Sequence, residues 1–441
     1  MHMEHEAVLQ VKRSIKKWPA YRKYVEAQGV DPLKIRSIDE LPVIGKDFIA
    51  QAIHTVPLFR VRSVVPSSGS TGTAFSYGLF SDTEMRKASR AIEMFLQSRF
   101  STKTRKTIIL NMLPGAMSLW SSTATVASIG VRMDIALSVL RSLGSSFEQI
   151  ILVGEPLFIK NLIEDGARNA ISWEYLPLYI MVGGEWVPES YRSYIESMVG
   201  YRRVFSSMGM AELGLHYFYE TEETVLLRNL LFQDRRLLRA LFGDIGFCPM
   251  LFAYDERKIY VETVREVSGE LESILLTTLD SDRVLPLLRC RCGDRGRKLS
   301  REEINRSLKT AGYRALPDST GQTILAHFGR GSHLQGVYIE EIKERIYTSH
   351  EIASASTGNF VLENTHNGVR VKIQLNRGCG IKADSERACL NAFRGLPVHA
   401  ELCPFDLFPY PLDYERKVRY VGESDHCRGR EGDTAELSAQ V

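Results

Sequence analysis

Val64-Val65-Pro66-Ser67-Ser68-Gly69-Ser70-Thr71-Gly72-Thr73 runs from a short apolar segment into a loop of small hydroxyl residues and glycines. Backbone N–H groups in such a loop are free to wrap an oxyanion, and the glycines permit positive φ and close approach of a ligand. The hydroxyls of Ser67, Ser68, Ser70, Thr71 and Thr73 add donors, so the loop is a phosphate cradle candidate. Read alone, the same cluster also describes a solvated loop. It lacks the GK[ST] ending of a Walker loop, which disfavours a kinase or GTPase reading.

The rest of the chain builds around that loop. At 441 residues, 44% hydrophobic and 25% charged, it is an ordinary globular composition with room for one large and one smaller domain. The 56 basic and 53 acidic residues leave a net charge of +3, interleaved along the chain, which argues against a nucleic-acid role. No apolar run is long enough to span a bilayer and the N-terminus lacks a signal-peptide plan, so a cytoplasmic protein with no membrane role is expected. Seven cysteines without a CxxC pair predict reduced thiols and no structural zinc.

The pattern predicts an α/β body. A helical N-terminal stretch is punctuated at Pro32 and Pro42. Ser81 and Glu84 make a capping box for a helix whose Met85, Ala88, Ile92 and Phe95 recur at helical spacing, predicted to be core. Residues 107–110 and 149–153 are β-branched runs with helical segments between them, pointing to a parallel sheet with crossovers. Residues 259–264 and 273–277 form a predicted hairpin that closes the first domain. A second, α+β unit is expected beyond Gly329, with strands at 359–363, 369–375 and 398–403 and a helix over 384–394. Gly329 to Ser332 is a predicted hinge, and the polar stretch from Glu423 onward a predicted disordered tail.

Further segments recur in a fixed order after the loop: Met181-Val182-Gly183-Gly184-Glu185-Trp186-Val187-Pro188, Ser206-Ser207-Met208-Gly209-Met210-Ala211-Glu212, Leu285-Pro286-Leu287-Leu288-Arg289-Cys290-Arg291-Cys292-Gly293-Asp294, Gly329-Arg330, Gly336 to Ile342, and Glu415-Arg416-Lys417-Val418-Arg419-Tyr420-Val421. In this order they resemble the adenylate-forming (acyl-CoA synthetase-like) superfamily, and most closely its phenylacetate–coenzyme A ligase branch. The resemblance runs from about Tyr21 to Val421.

It implies a large N-terminal adenylation domain of layered sheets and helices over 1–328, a hinge over 329–332, a small mobile C-terminal lid domain over 333–422, and a tail over 423–441. It implies ATP-dependent activation of an aromatic or apolar carboxylic acid to an acyl-adenylate. Transfer to a thiol, coenzyme A or a carrier protein, then follows; a protein cysteine or an amine as acceptor stays open, as in the acyl-protein synthetases related to luminous-bacterial fatty acid reductases. A catalytically degenerate nucleotide-binding regulator is the other reading. A homodimer is compatible with either.

The resemblance also assigns residues. Ser67, Ser68, Gly69, Ser70, Thr71, Gly72 and Thr73 would grip the ATP phosphates, although Thr73 and Ala74 stand where the family commonly has a lysine. Gly183, Gly184 and Glu185 would lie along the adenine and the acyl pocket, with Trp186 and the Met208/Met210 pair beside that pocket. Ser207, Met208, Gly209 and Met210 would contact the nucleotide, and Glu212 would bind magnesium. Met208 replaces an aromatic residue that would stack on adenine, and Ala211 a threonine. Asp294 would hold the ribose hydroxyls, since a carboxylate accepts two hydrogen bonds side by side. Arg330 would lie near ribose or phosphate, with Ser332 and His333 where the hinge is usually acidic. Lys417 would reach into the first half-reaction. Cys290 and Cys292 are expected to be buried thiols, and Arg289 and Arg291 structural ion-pair partners.

Overall fold

The computed structural model describes residues 2–66, 77–114, 119–265, 271–316, 323–366 and 368–422. The predicted cradle Ser67–Thr73, with Ala74, and the predicted tail from Glu423 lie outside these residues. Two compact units divide the chain between Gly331 and Ser332.

The first unit holds β1 (Val61–Pro66), β2 (Tyr77–Ser81), β3 (Thr107–Met112), β4 (Thr125–Ser128), β5 (Gln149–Gly154), β6 (Leu178–Val182), β7 (Val204–Met210), β8 (Gly214–Tyr219), β9 (Met250–Tyr254), β10 (Ile259–Val264), β11 (Ser273–Thr278), β12 (Cys290–Leu299) and β13 (Thr323–His327). Apart from the β1–β2 pair, these join in an 11-stranded sheet in the order β10, β11, β12, β13, β9, β8, β7, β6, β5, β3, β4. The β3, β4, β5, β6 and β7 portion is parallel and the remainder antiparallel. Helices Met133–Leu143, Pro156–Arg168 and Glu189–Val199 lie in sequence between its strands. Every residue of β3 is buried, as expected for a parallel strand covered on both faces.

Local signals account for several of these elements. The Ser81 side chain accepts from the Glu84 N–H and the Glu84 carboxylate accepts the Ser81 N–H in turn, starting the helix Asp82–Phe100. The predicted core face of that helix needs correction. Met85 is 40% exposed, Ile92 and Phe95 are half-buried against the core as expected, and the buried positions are Glu84, Leu96 and Phe100. The helix meets the sheet through its second half, where Leu96 and Phe100 pack with Ile109, Ile151, Met181 and Phe205. Its first turn instead buries a polar cap. The predicted hairpin is the antiparallel β10–β11 pair at the edge of the large sheet.

The second unit contains β14 (His333–Leu334), β15 (Val337–Tyr338), β16 (Ser356–Thr365), β17 (Gly368–Leu375) and β18 (Val398–Cys403), with a helix over Ala383–Ala392. β16 and β17 are antiparallel, and β17 and β18 parallel. No helix among the described residues is long and apolar enough to cross a membrane.

Candidate nucleotide site

In an open parallel sheet, loops at the carboxyl ends of the strands form the natural ligand crevice. Two predicted segments sit at neighbouring ends of this kind. Val182 at the end of β6 is in register with Ser206 of β7. The turn that follows puts Gly183 against Ser207: a Cβ there would lie 3.2 Å from the Ser207 carbonyl oxygen and 3.3 Å from its Oγ. The Gly183 N–H donates to the Gly154 carbonyl at the end of β5, and Gly184 turns at φ 90°, a conformation suited to glycine. Glu185 follows, half-buried.

Glu212 lies just past β7 and is only 1% exposed. Arg283 Nη2 donates to the Glu212 carbonyl at 2.6 Å while Nη1 reaches the Leu213 carbonyl at 3.4 Å. Arg283 is itself tied to Glu84 at 3.7 Å, and Val284 N–H donates to Glu84 at 3.1 Å. Glu84 caps the helix that follows β2, so the strand leaving the glycine loop is tied to the Glu212 segment. Pro66 and Tyr77, at the two ends of the loop, are paired.

Sequence reasoning missed Lys46. Ile44 bridges to Cys290 in parallel and exchanges backbone hydrogen bonds with Arg289 and Arg291. That pairing brings Lys46, the first residue of a short helix, to 3.8 Å from the Glu212 carboxylate. Nothing local in Gly45-Lys46-Asp47 signals a partner 166 positions away (212 − 46).

Asp294 lies on β12. Its Oδ2 is 3.5 Å from Nε2 of His327, at the end of β13, where Gly296 and His327 are in register. Residues 328–330 run beside Asp294: Phe328 N–H donates to the Arg295 carbonyl at 2.8 Å, and Arg295 N–H to the Gly329 carbonyl at 2.7 Å. Arg330 is thereby next to the ribose candidate along the backbone, and half-buried. Cys290 and Cys292 are buried, as expected. Burial first, and then the Glu212 carboxylate, push the Cys290 thiol up to about 12. Cys292 Sγ accepts the Asp294 N–H at 3.4 Å. The two thiols thus line the stretch between the predicted magnesium and ribose residues. Arg289 pairs with Glu262 at 3.1 Å, a structural ion pair.

A buried charge network binds these parts together. Arg192 holds Glu189 at 3.0 Å and Glu220 at 2.6 Å, and Arg228 approaches both glutamates at 3.4 Å. Glu220 also accepts the Ser206 N–H at 2.8 Å, and Arg228 donates to the Val187 and Pro249 carbonyls. Burial works against the Glu220 charge, but Arg192 and Arg228 outweigh it and hold the carboxyl below its usual range. Trp186 is a core residue: 6% exposed, edge-on to Phe247 at 5.5 Å, its indole N–H donating to the His327 carbonyl at 3.3 Å. Met208 is buried at 7% and Gly209 and Met210 complete β7.

Lys417 belongs to the second unit. It is half-buried in an irregular segment rather than on a strand.

No family model matches the chain, and no curated protein matches it. Among solved structures it is similar to 2-hydroxyisobutyryl-CoA ligase in the postadenylation state in complex with R3-HIB-AMP, with a TM-score of 0.65 and 16% identity over 96% of this chain and 89% of that one. The same ligase in complex with 2-HIB-AMP and CoA in the thioesterification state aligns with a TM-score of 0.54 and 16% identity, over 96% of this chain and 89% of that chain. Its open conformation in complex with 2-HIB-AMP and CoA gives 0.54 and 16% over 95% and 90%. The chain has the fold of an adenylate-forming ligase.

Proposed function

We propose that this chain activates a carboxylic acid with ATP and passes the acyl group to a thiol such as coenzyme A, as the phenylacetate–coenzyme A ligase branch does. The acid's carboxylate oxygen attacks the α-phosphorus, the bond to pyrophosphate breaks, and the thiol later displaces AMP from the mixed anhydride. One observation carries the reading: the Gly183–Glu185 turn leads into Trp186, which meets His327 beside Asp294, and the strand of Asp294 is bridged at Cys290 to Ile44, just before the Lys46 that pairs with Glu212, all in the first unit.

In this reading Asp294 holds the ribose diol and orients the nucleotide without reacting. The Gly183–Glu185 turn and residues 207–210 flank the adenine and the acid, an aromatic or apolar one. Residues 67–73 donate to the phosphates, Arg330 adds positive charge beside Asp294, and Lys417 supplies a cation for the charge that develops as the acyl–phosphate bond forms. Among the described residues no group of three His, Cys, Asp or Glu side chains is arranged to hold a metal. A single buried carboxylate such as Glu212 suits magnesium, which binds through one or two carboxylates and substrate phosphates. Magnesium bound there would neutralise phosphate charge.

The test is exchange of labelled pyrophosphate into ATP across a panel of carboxylic acids. Exchange dependent on an aryl or fatty acid supports activation, and thioester formation on adding coenzyme A identifies the acceptor. ATP binding without exchange for any acid would favour the regulator reading, in keeping with Ala74 and Met208 at positions where the family has a lysine and an aromatic ring.

A further inference from the structure

His327 is 6% exposed, and neither Nδ1 nor Nε2 has a hydrogen-bond partner among the described residues. An imidazole shut away from water with both nitrogens unmatched is disfavoured unless something meets them. The ring faces Asp294, whose Oδ2 stands 3.5 Å from Nε2. On the apolar side is the Phe252 ring, at 6.0 Å between centroids. The backbone under the ring is firmly held: His327 is in register with Gly296 of β12 and Met250 of β9, and its carbonyl accepts the Trp186 indole.

We propose that His327 is a positioning residue for nucleotide binding. Its Nε2–H closes onto Oδ2 of Asp294 and turns the carboxylate so that the remaining lone pairs accept both hydroxyls of a ribose. The inference rests on Asp294 being the ribose anchor. The terminal torsion of an aspartate is broad, and many of its orientations miss a vicinal diol. A ring fixed by two strands removes that freedom before the ligand arrives, which favours binding by preorganisation. No proton changes hands and no bond is broken.

The test is calorimetric binding of ATP, 2′-deoxy-ATP and 3′-deoxy-ATP to the full chain, comparing wild type with His327→Phe and His327→Gln. Wild type is expected to bind ATP about tenfold more tightly than either deoxy form, the size of one charge-assisted hydrogen bond. His327→Phe fills the space without a donor. It should weaken ATP several-fold and leave both deoxy nucleotides within about twofold of wild type, so that the preference collapses; His327→Gln should restore part of it. Equal weakening of all three nucleotides by His327→Phe would mark a structural residue and overturn the proposal, as would an undiminished preference. A wild type that binds ATP no more tightly than its deoxy forms would overturn the assignment of Asp294 itself, and this proposal with it.

Discussion

Gly78 lies so close to Ala211 that a Cβ added to it would overlap the Ala211 carbonyl. The strand leaving the glycine loop therefore rests bare against the segment that carries Glu212. A methyl group can be accommodated only by moving backbone, since the atoms it would meet first are the Ala211 carbonyl oxygen and carbon. Gly78→Ala is expected to cost about 1–3 kcal/mol, typical of overpacking a closed contact. It should also weaken ATP binding, because the loop base and Glu212 move apart. A melt combined with nucleotide titration checks both; an unchanged affinity in a folded variant would separate the loop from Glu212.

Asp294→Ala should weaken ATP binding by about 1.5–3 kcal/mol, the range for hydrogen bonds to a charged group, with the fold retained. Cys292 and the β12–β13 pairing hold the backbone at this position independently of the side chain. Calorimetric ATP affinity is the measurement, and equality with wild type would refute the ribose assignment.

The Arg192, Arg228, Glu189 and Glu220 network tests how the site is held. Arg228 is wholly buried, and Arg228→Met leaves Glu189 and Glu220 with one cation between them. Breaking a buried ion group by removing one partner costs about 3–5 kcal/mol. Urea denaturation should register that loss. Adding Glu220→Gln, which keeps an acceptor for the Ser206 N–H while removing one negative charge, should recover part of it.

The elements that could be read from sequence were those made by near neighbours. The Ser81–Glu84 box, the runs at 107–110 and 149–153, and the strands of the second unit are signalled by cap chemistry and side-chain alternation within a few residues. The exposure of Met85 is not legible, because helical spacing reveals an apolar stripe but not which half of a helix reaches the sheet. Asp294 and Glu212 stood out through the motifs around them. Lys46, His327 and Arg228 did not: each depends on strand pairing or burial set by residues far along the chain, such as the bridge from Ile44 to Cys290. A histidine in Ala326-His327-Phe328 reads as an ordinary strand residue until its neighbours are known.

Stability should depend on pH through His216. Burial, then the positive charges of Arg283 and Lys258, push its imidazole down to about 4, against the weaker opposing effect of Asp280. In the unfolded chain the same group titrates near 6.5, so between about pH 6.5 and 4 the unfolded state binds more protons. Stability attributable to His216 is therefore present above pH 6.5 and lost as pH falls toward 4, by about 2–3 kcal/mol. Denaturation of wild type and His216→Gln at pH 7, 5.5 and 4.5 checks this. The variant should lose less over that range, and parallel losses would exclude His216 as the source.

Lys417 provides a test of the proposed two-step reaction. The chain beyond it is anchored on β16, where Leu362 N–H donates to the Tyr420 carbonyl and Gly422 N–H to the Leu362 carbonyl, each at 2.8 Å. Lys417 itself lies in irregular backbone before that anchor, so truncating its side chain removes a charge without breaking a strand. In the proposed role, an ammonium stabilises charge while the acyl–phosphate bond is being made and contributes little once the adenylate exists. Lys417→Ala should therefore slow acyl-adenylate formation, read by pyrophosphate exchange, by two or more orders of magnitude, roughly the effect of removing one preorganised group. With synthetic acyl-adenylate and a thiol supplied, thioester formation should stay near the wild-type rate. An equally large loss in that second assay would mean that Lys417 serves the fold of its unit and not the first step.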